Sequence, residues 1–168
     1  MSVAPRVDSD GQLARLLQIG IVLEEVVEAR AYQHYQRLPV EERDERIEAL
    51  LAGAREESAE HRERLEALEA DLDGDAEPAV DVADLVREHY SRTDPEDFDG
   101  VLYDQLNGEE TAYKFYDDLI DAIEASDARF GIDRDALLAT LRDIRAAEAE
   151  GVEAVAELME SPQTEADT

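Results

Sequence analysis

The stretch EARAYQHY, residues 28–35, decides the fold, because a similar phrase, EETAYKFY, returns at residues 109–116. Glu, Ala, Tyr and Tyr hold the same four of eight places in both. A duplicated helical hairpin would produce such a repeat, so each phrase is read as part of a helix that begins one hairpin.

The apolar spacing around the two phrases fits this. Leu13, Leu16, Leu17, Gly20, Leu23, Val27 and Ala31 recur at three- and four-residue steps, the period of an amphipathic helix. Ser9 or Asp10 can cap that helix and Pro39 ends it near Leu38. A second helix is expected from Val40 or Glu41, carrying Ile47, Leu50, Leu51, Ala54, Leu65, Leu68 and Leu72, until DLDGDAEP breaks it. The spacing predicts a third helix over about 95–125 and a fourth over about 133–159. Residues 73–94, with a short amphipathic piece near 80–90, read as a crossover. The domain is then 9–160, between an N-terminal tail of residues 1–8 and a polar C-terminal tail of residues 161–168. The fold expected is all-α: a four-helix bundle of two helical hairpins with one long crossover, an arrangement typical of ferritin-like folds.

The chain has 168 residues, 45 acidic against 16 basic, a formal charge of −29 and three histidines. Such a surface repels nucleic acid and anionic membranes, so neither is expected as a partner. Acidic residues spread along the whole chain are read as halophilic adaptation to concentrated salt, which screens their mutual repulsion. Without cysteine there are no disulfides, thiolate metal sites or cysteine nucleophiles. No apolar run reaches signal-peptide or membrane-span length, so a soluble cytoplasmic protein is expected.

Laying each helix out at about 100° per residue shows which polar side chains fall inside the apolar stripe. Glu148 lies between Ile144 and Val152, and Glu109 between Gln105, Ala112 and Tyr116. His61 sits among Ala54, Leu65 and Leu68, with Ser58 one turn before it and Glu57 at the stripe's edge. Glu24 and Glu28 both fall within or beside the stripe of the first helix. Several carboxylates in a low-dielectric core repel one another and lose hydration, costing several kcal/mol. A cation bound by carboxylate oxygen and imidazole nitrogen removes that conflict; iron, manganese and zinc all suit the set.

These residues resemble the ferritin-like superfamily, most closely its rubrerythrin-type members. In such proteins the first helix of each hairpin carries Glu followed by small and aromatic residues ending in Tyr, and the second carries Glu-x-x-His. The resemblance makes Glu28 and Glu109 the first-helix ligands, and places Tyr35 and Tyr116 beside the site as hydrogen-bond or electron donors. It puts His61 in the histidine place of one half and Glu148 in the glutamate place of the other. Two positions depart from the pattern: Ser58 stands where a bridging glutamate is expected and Gly151 where the second histidine is expected. Glu57, one turn from His61, can replace the missing carboxylate. One metal, a weakened di-iron site, and a bundle that has abandoned metal all fit this set.

The function the resemblance implies is a non-haem metal protein that handles iron or reduces oxygen or peroxide at a carboxylate and histidine site, a ferroxidase- or peroxidase-type oxidoreductase. Its partners would be metal ions, oxygen or peroxide, and further copies of itself in a homodimer or higher homo-oligomer. The competing expectation is a metal-free helical bundle with an interaction or structural role and a relic site.

Overall fold

Each helix begins and ends where the local chemistry dictates. The Ser9 hydroxyl accepts the Gln12 N–H at 3.2 Å and starts helix α1, Asp10–Arg37. Pro39 bars helical backbone at Leu38, which is extended, and α1 stops. The next helix starts later than the periodicity suggests. Val40–Glu42 forms a single 3-10 turn, and α2, Glu45–Ala70, begins only after Asp44, whose carboxylate accepts the Arg46 N–H at 2.8 Å. Asp44 is the better N-cap because its carboxylate can reach a free amide, which Pro39 and Val40 cannot offer. Arg43 closes the joint by donating to the carbonyls of Leu38 and Gln36 at the open end of α1.

Helices α3, Phe98–Ala125, and α4, Arg134–Glu160, are the remaining helices among the described residues. Arg134 ties their connection by donating to Ile123 O at 2.9 Å and Ala128 O at 2.7 Å, and Asp133 caps α4 through the Ala136 N–H. The computed structural model describes residues 7–72 and 98–160, all in helices or short connections with no strand among them. The crossover and the C-terminal tail expected from the sequence lie outside these residues. Val7, expected in the N-terminal tail, is instead buried in the core.

α1 packs against α2 and α3, and α4 packs against α3 and α2. Neighbours run antiparallel. On the α1–α3 seam Asp10 meets Gly131, Glu24 meets Tyr116 and Arg30 meets Asp104, so one number rises as the other falls. Across α2 and α4, Arg64 meets Asp143 and His61 meets Glu148. The second helices also repeat: buried Ile47, Leu51, Ala54, Ser58 and Leu65 correspond at one constant offset to buried Leu137, Leu141, Ile144, Glu148 and Val155. In this register His61 corresponds to Gly151.

The core is divided. One apolar cluster gathers Leu13, Leu17, Leu65, Leu119, Ile123, Leu137 and Ile144, and a smaller one gathers Leu38, Ile47, Leu51, Val101, Leu102 and Val155. Between them along the bundle lie Glu24, Ser58, His61, Gln105, Glu109 and Glu148, which are all the buried polar or charged side chains among the described residues. A folded core avoids burying such groups singly because each costs free energy unless it is partnered. Six in one cross-section, contributed by all four helices, mark a site.

Candidate metal centre

α1 and α2 bring Glu24 to His61, and α4 brings Glu148 to the same imidazole. His61 Nδ1 lies 3.4 Å from Glu24 Oε1 and 3.2 Å from Glu148 Oε1. Neither oxygen is aligned with the ring as a hydrogen-bond acceptor must be, so this nitrogen, in a residue only 4% exposed, has no hydrogen-bond partner. Both carboxylates are near enough to pair with a charged ring, but the nitrogen's own axis meets neither oxygen in a hydrogen bond. The nitrogen is well placed for coordination. A cation on its lone-pair axis at about 2.1 Å has its other donors off that axis, and donors about 90–109° apart then lie roughly 3.0–3.4 Å from one another. The observed separations fall in that range. Among the described residues, Glu24, His61 and Glu148 form the group whose ligand atoms all lie within 4.8 Å of one another.

The surrounding groups complete the geometry. Tyr116, fully buried, donates its hydroxyl to Glu24 Oε1 at 2.8 Å. Burial and the Glu24 carboxylate hold the tyrosine pKa well above its ordinary value, so it stays protonated and donating. Glu109 accepts a hydrogen bond from Gln105 Nε2 at 2.9 Å. Its carboxyl lies against the backbone of Gly151, where an added Cβ would stand only 2.5 Å from Oε2. Glu57 Oε1 is 3.9 Å from His61 Nε2, on the far side of the ring. At that distance Glu57 adds negative charge beside the ring without a hydrogen bond to it.

The electrostatics are those of a pocket crowded with carboxylates. Burial, a hydrogen bond shared with Glu109 and the charge of Glu24 push the Glu148 carboxyl far above the usual carboxylate range. Glu57 is raised by burial and neighbouring carboxylates, partly offset by His61. Burial works against a charged His61, but Glu24, Glu57 and Glu60 outweigh it and raise its pKa. Protons thus stand in where positive charge is wanted.

Of the residues expected from the sequence, His61, Glu109, Glu148 and Tyr116 share this layer, and Glu57 lies at its edge. Glu28 is not brought to His61. Its Oε2 accepts from Arg62 NH1 at 2.7 Å, and Glu24, one turn earlier, takes the place beside the imidazole. Tyr35 is not at the centre either: it donates to Glu48 at 3.2 Å near the end of α1 and stacks under Arg43. The reason is distance along the helix. Tyr35 is eleven residues beyond Glu24, roughly 16 Å at about 1.5 Å per residue. Gln105, in the stripe of the third helix, is the partner of Glu109, and its signal in the sequence is an amide one turn before an inward glutamate.

Compared with known proteins, the chain matches no family model, no curated protein and no solved structure.

Proposed function

We propose that this chain is a ferritin-like metal protein that binds a redox-active divalent cation, iron first among candidates, in the bundle core and uses it on oxygen or peroxide. The single observation carrying this reading is the buried, unpartnered His61 Nδ1 flanked by Glu24 and Glu148 at coordination spacing. Two carboxylates and one imidazole form a hard-to-borderline donor set that suits Fe(II), Mn(II) or Zn(II). Bound iron would supply electrons, with open positions for a small oxidant.

The protein's own groups prepare the pocket. Tyr116 holds Glu24 by a hydrogen bond, which fixes the oxygen it shares with the cation's side of the pocket. Leu13, Leu65 and Ile144 on one side and Leu51 and Val155 on the other exclude bulk water and strengthen every charge interaction between them. The helix order supports the ferritin-like reading. α1 runs antiparallel to both α2 and α3, so α2 and α3 run the same way, as two hairpins joined by one long connection require.

The test is metal content per chain by mass spectrometry after anaerobic reconstitution with Fe(II), Mn(II) or Zn(II) in high salt. Binding by wild type, lost in His61→Ala and Glu148→Gln, is expected, together with oxygen consumption by the iron form above that of free Fe(II). Protein that elutes free of every metal would leave a metal-free helical bundle with a relic site.

A further inference from the structure

The third acidic group of the layer, Glu109, is held differently from the two carboxylates beside His61. Glu109 Oε1 is engaged by the Gln105 amide one turn earlier on α3, at 2.9 Å, and Gln105 is itself 6% exposed. The rest of its carboxyl occupies the volume above Gly151 on α4. A Cβ there would meet Oε2 at 2.5 Å, Cδ at 2.7 Å and Oε1 at 3.1 Å. Contacts below about 3 Å are not tolerated, so only glycine at 151 allows Glu109 to lie where it does. Position 151 is also one turn beyond Glu148 on the same face, and glycine leaves the volume above it open. That volume is filled by Glu109.

From this we infer that the centre takes one cation per chain, with Glu109 acting as a positioning residue that buttresses the ligand Glu148 and is kept off the cation by Gln105 and Gly151. The inference rests on the proposed metal site and specifies its nuclearity. The buried nitrogen that marks a coordination position, His61 Nδ1, is flanked by Glu24 and Glu148 alone. On the Glu109 side the described residues offer an amide donor and a glycine, and neither adds a ligand for a second ion. A polar group packed on the turn that carries a ligand, as Glu109 is on Gly151 one turn from Glu148, holds that ligand's aim, and removing such a support typically lowers metal affinity about 10–100-fold without removing the site.

The experiment is a titration of the chelator-treated full chain with Co(II), read by its d–d absorption and by metal content after gel filtration. Wild type should saturate at one Co(II) per chain. Glu148→Gln should lose binding. Glu109→Gln, which keeps a hydrogen-bonding group toward Glu148, should bind within about threefold of wild type, whereas Glu109→Ala should still bind one ion, at least tenfold more weakly. Gly151→Ala should bind one ion with an altered Co(II) spectrum, because the added methyl displaces Glu109. Two ions in wild type, loss of binding in Glu109→Gln equal to that in Glu148→Gln, or a wild-type spectrum and affinity in Gly151→Ala would each overturn the inference while leaving the metal site standing. No Co(II) bound by wild type would remove the metal site itself.

Discussion

Glu148→Gln should reverse its effect on stability according to whether metal is present. Without metal, burial and neighbouring carboxylates keep the Glu148 carboxyl protonated at neutral pH in the folded state, whereas the unfolded chain ionises it near pH 4.3. The sign follows from proton binding. The folded state holds the proton more tightly, so the penalty is absent below about pH 4 and grows as pH rises, by about 1.36 kcal/mol per unit. At pH 7 this is roughly 3–4 kcal/mol, and losing the hydrogen bond shared with Glu109 takes back about 1 kcal/mol. The amide should therefore stabilise metal-free protein by about 2–3 kcal/mol at pH 7 and not at pH 4. With Mn(II) at a thousand times its Kd, wild type should gain about 4 kcal/mol that the variant lacks. Thermal unfolding in high salt, with chelator and then with Mn(II), reads both; the wild-type gain is worth roughly 10 °C in Tm for a chain of this size. A variant less stable than wild type in chelator at pH 7 would refute the buried-acid argument. Equal metal stabilisation of the two proteins would refute the coordination argument.

Tyr116→Phe removes the donor to Glu24 Oε1 from a fully buried site and should cost about 1–3 kcal/mol in urea unfolding while weakening Mn(II) binding several-fold. Glu24→Gln should abolish Mn(II) binding, whereas Glu28→Gln should leave it unchanged and lose only the Arg62 pair, about 1 kcal/mol by chemical denaturation. Two glycine substitutions should differ in sign. Gly53→Ala meets nothing within 4 Å and should stabilise by about 0.5–1 kcal/mol through helix propensity, whereas Gly20→Ala presses on Leu65, Phe115 and Tyr116 and should give a net loss of up to about 2 kcal/mol. Paired thermal melts of the two variants settle it.

Most of the buried layer was legible because a helix wheel needs only the period. His61, Glu109, Glu148 and Tyr116 each fell in the middle of an apolar stripe, and the structure buries all four together. The choice between Glu24 and Glu28 was a different kind of question. Both lie inward on α1, and the answer depends on how far α1 slides along α2, which no single-helix period encodes. Arg62, next to His61 in sequence but pointing elsewhere on α2, claims Glu28 and leaves Glu24 for the imidazole. The repeat misled for the same reason. It gave Tyr35 and Tyr116 equal standing, yet Tyr35 lies two residues before Arg37, the end of α1, and reaches out to Glu48. α2 starts later than the apolar periodicity suggests because that periodicity carries no signal of the stronger Asp44 cap.

The six buried polar side chains come from both hairpins, and this gives the layer a second consequence. Glu24 and His61 belong to the first hairpin, Glu148 and Tyr116 to the second. An ion held there is a fastener across the seam between the halves, much as a rivet joins two plates. Denaturant or force that pries the hairpins apart must break coordination first, and any change that loosens the seam opens the coordination sphere. If the proposed ion is held there, mechanical cohesion and metal binding rest on the same side chains, so selection on either one acts on both.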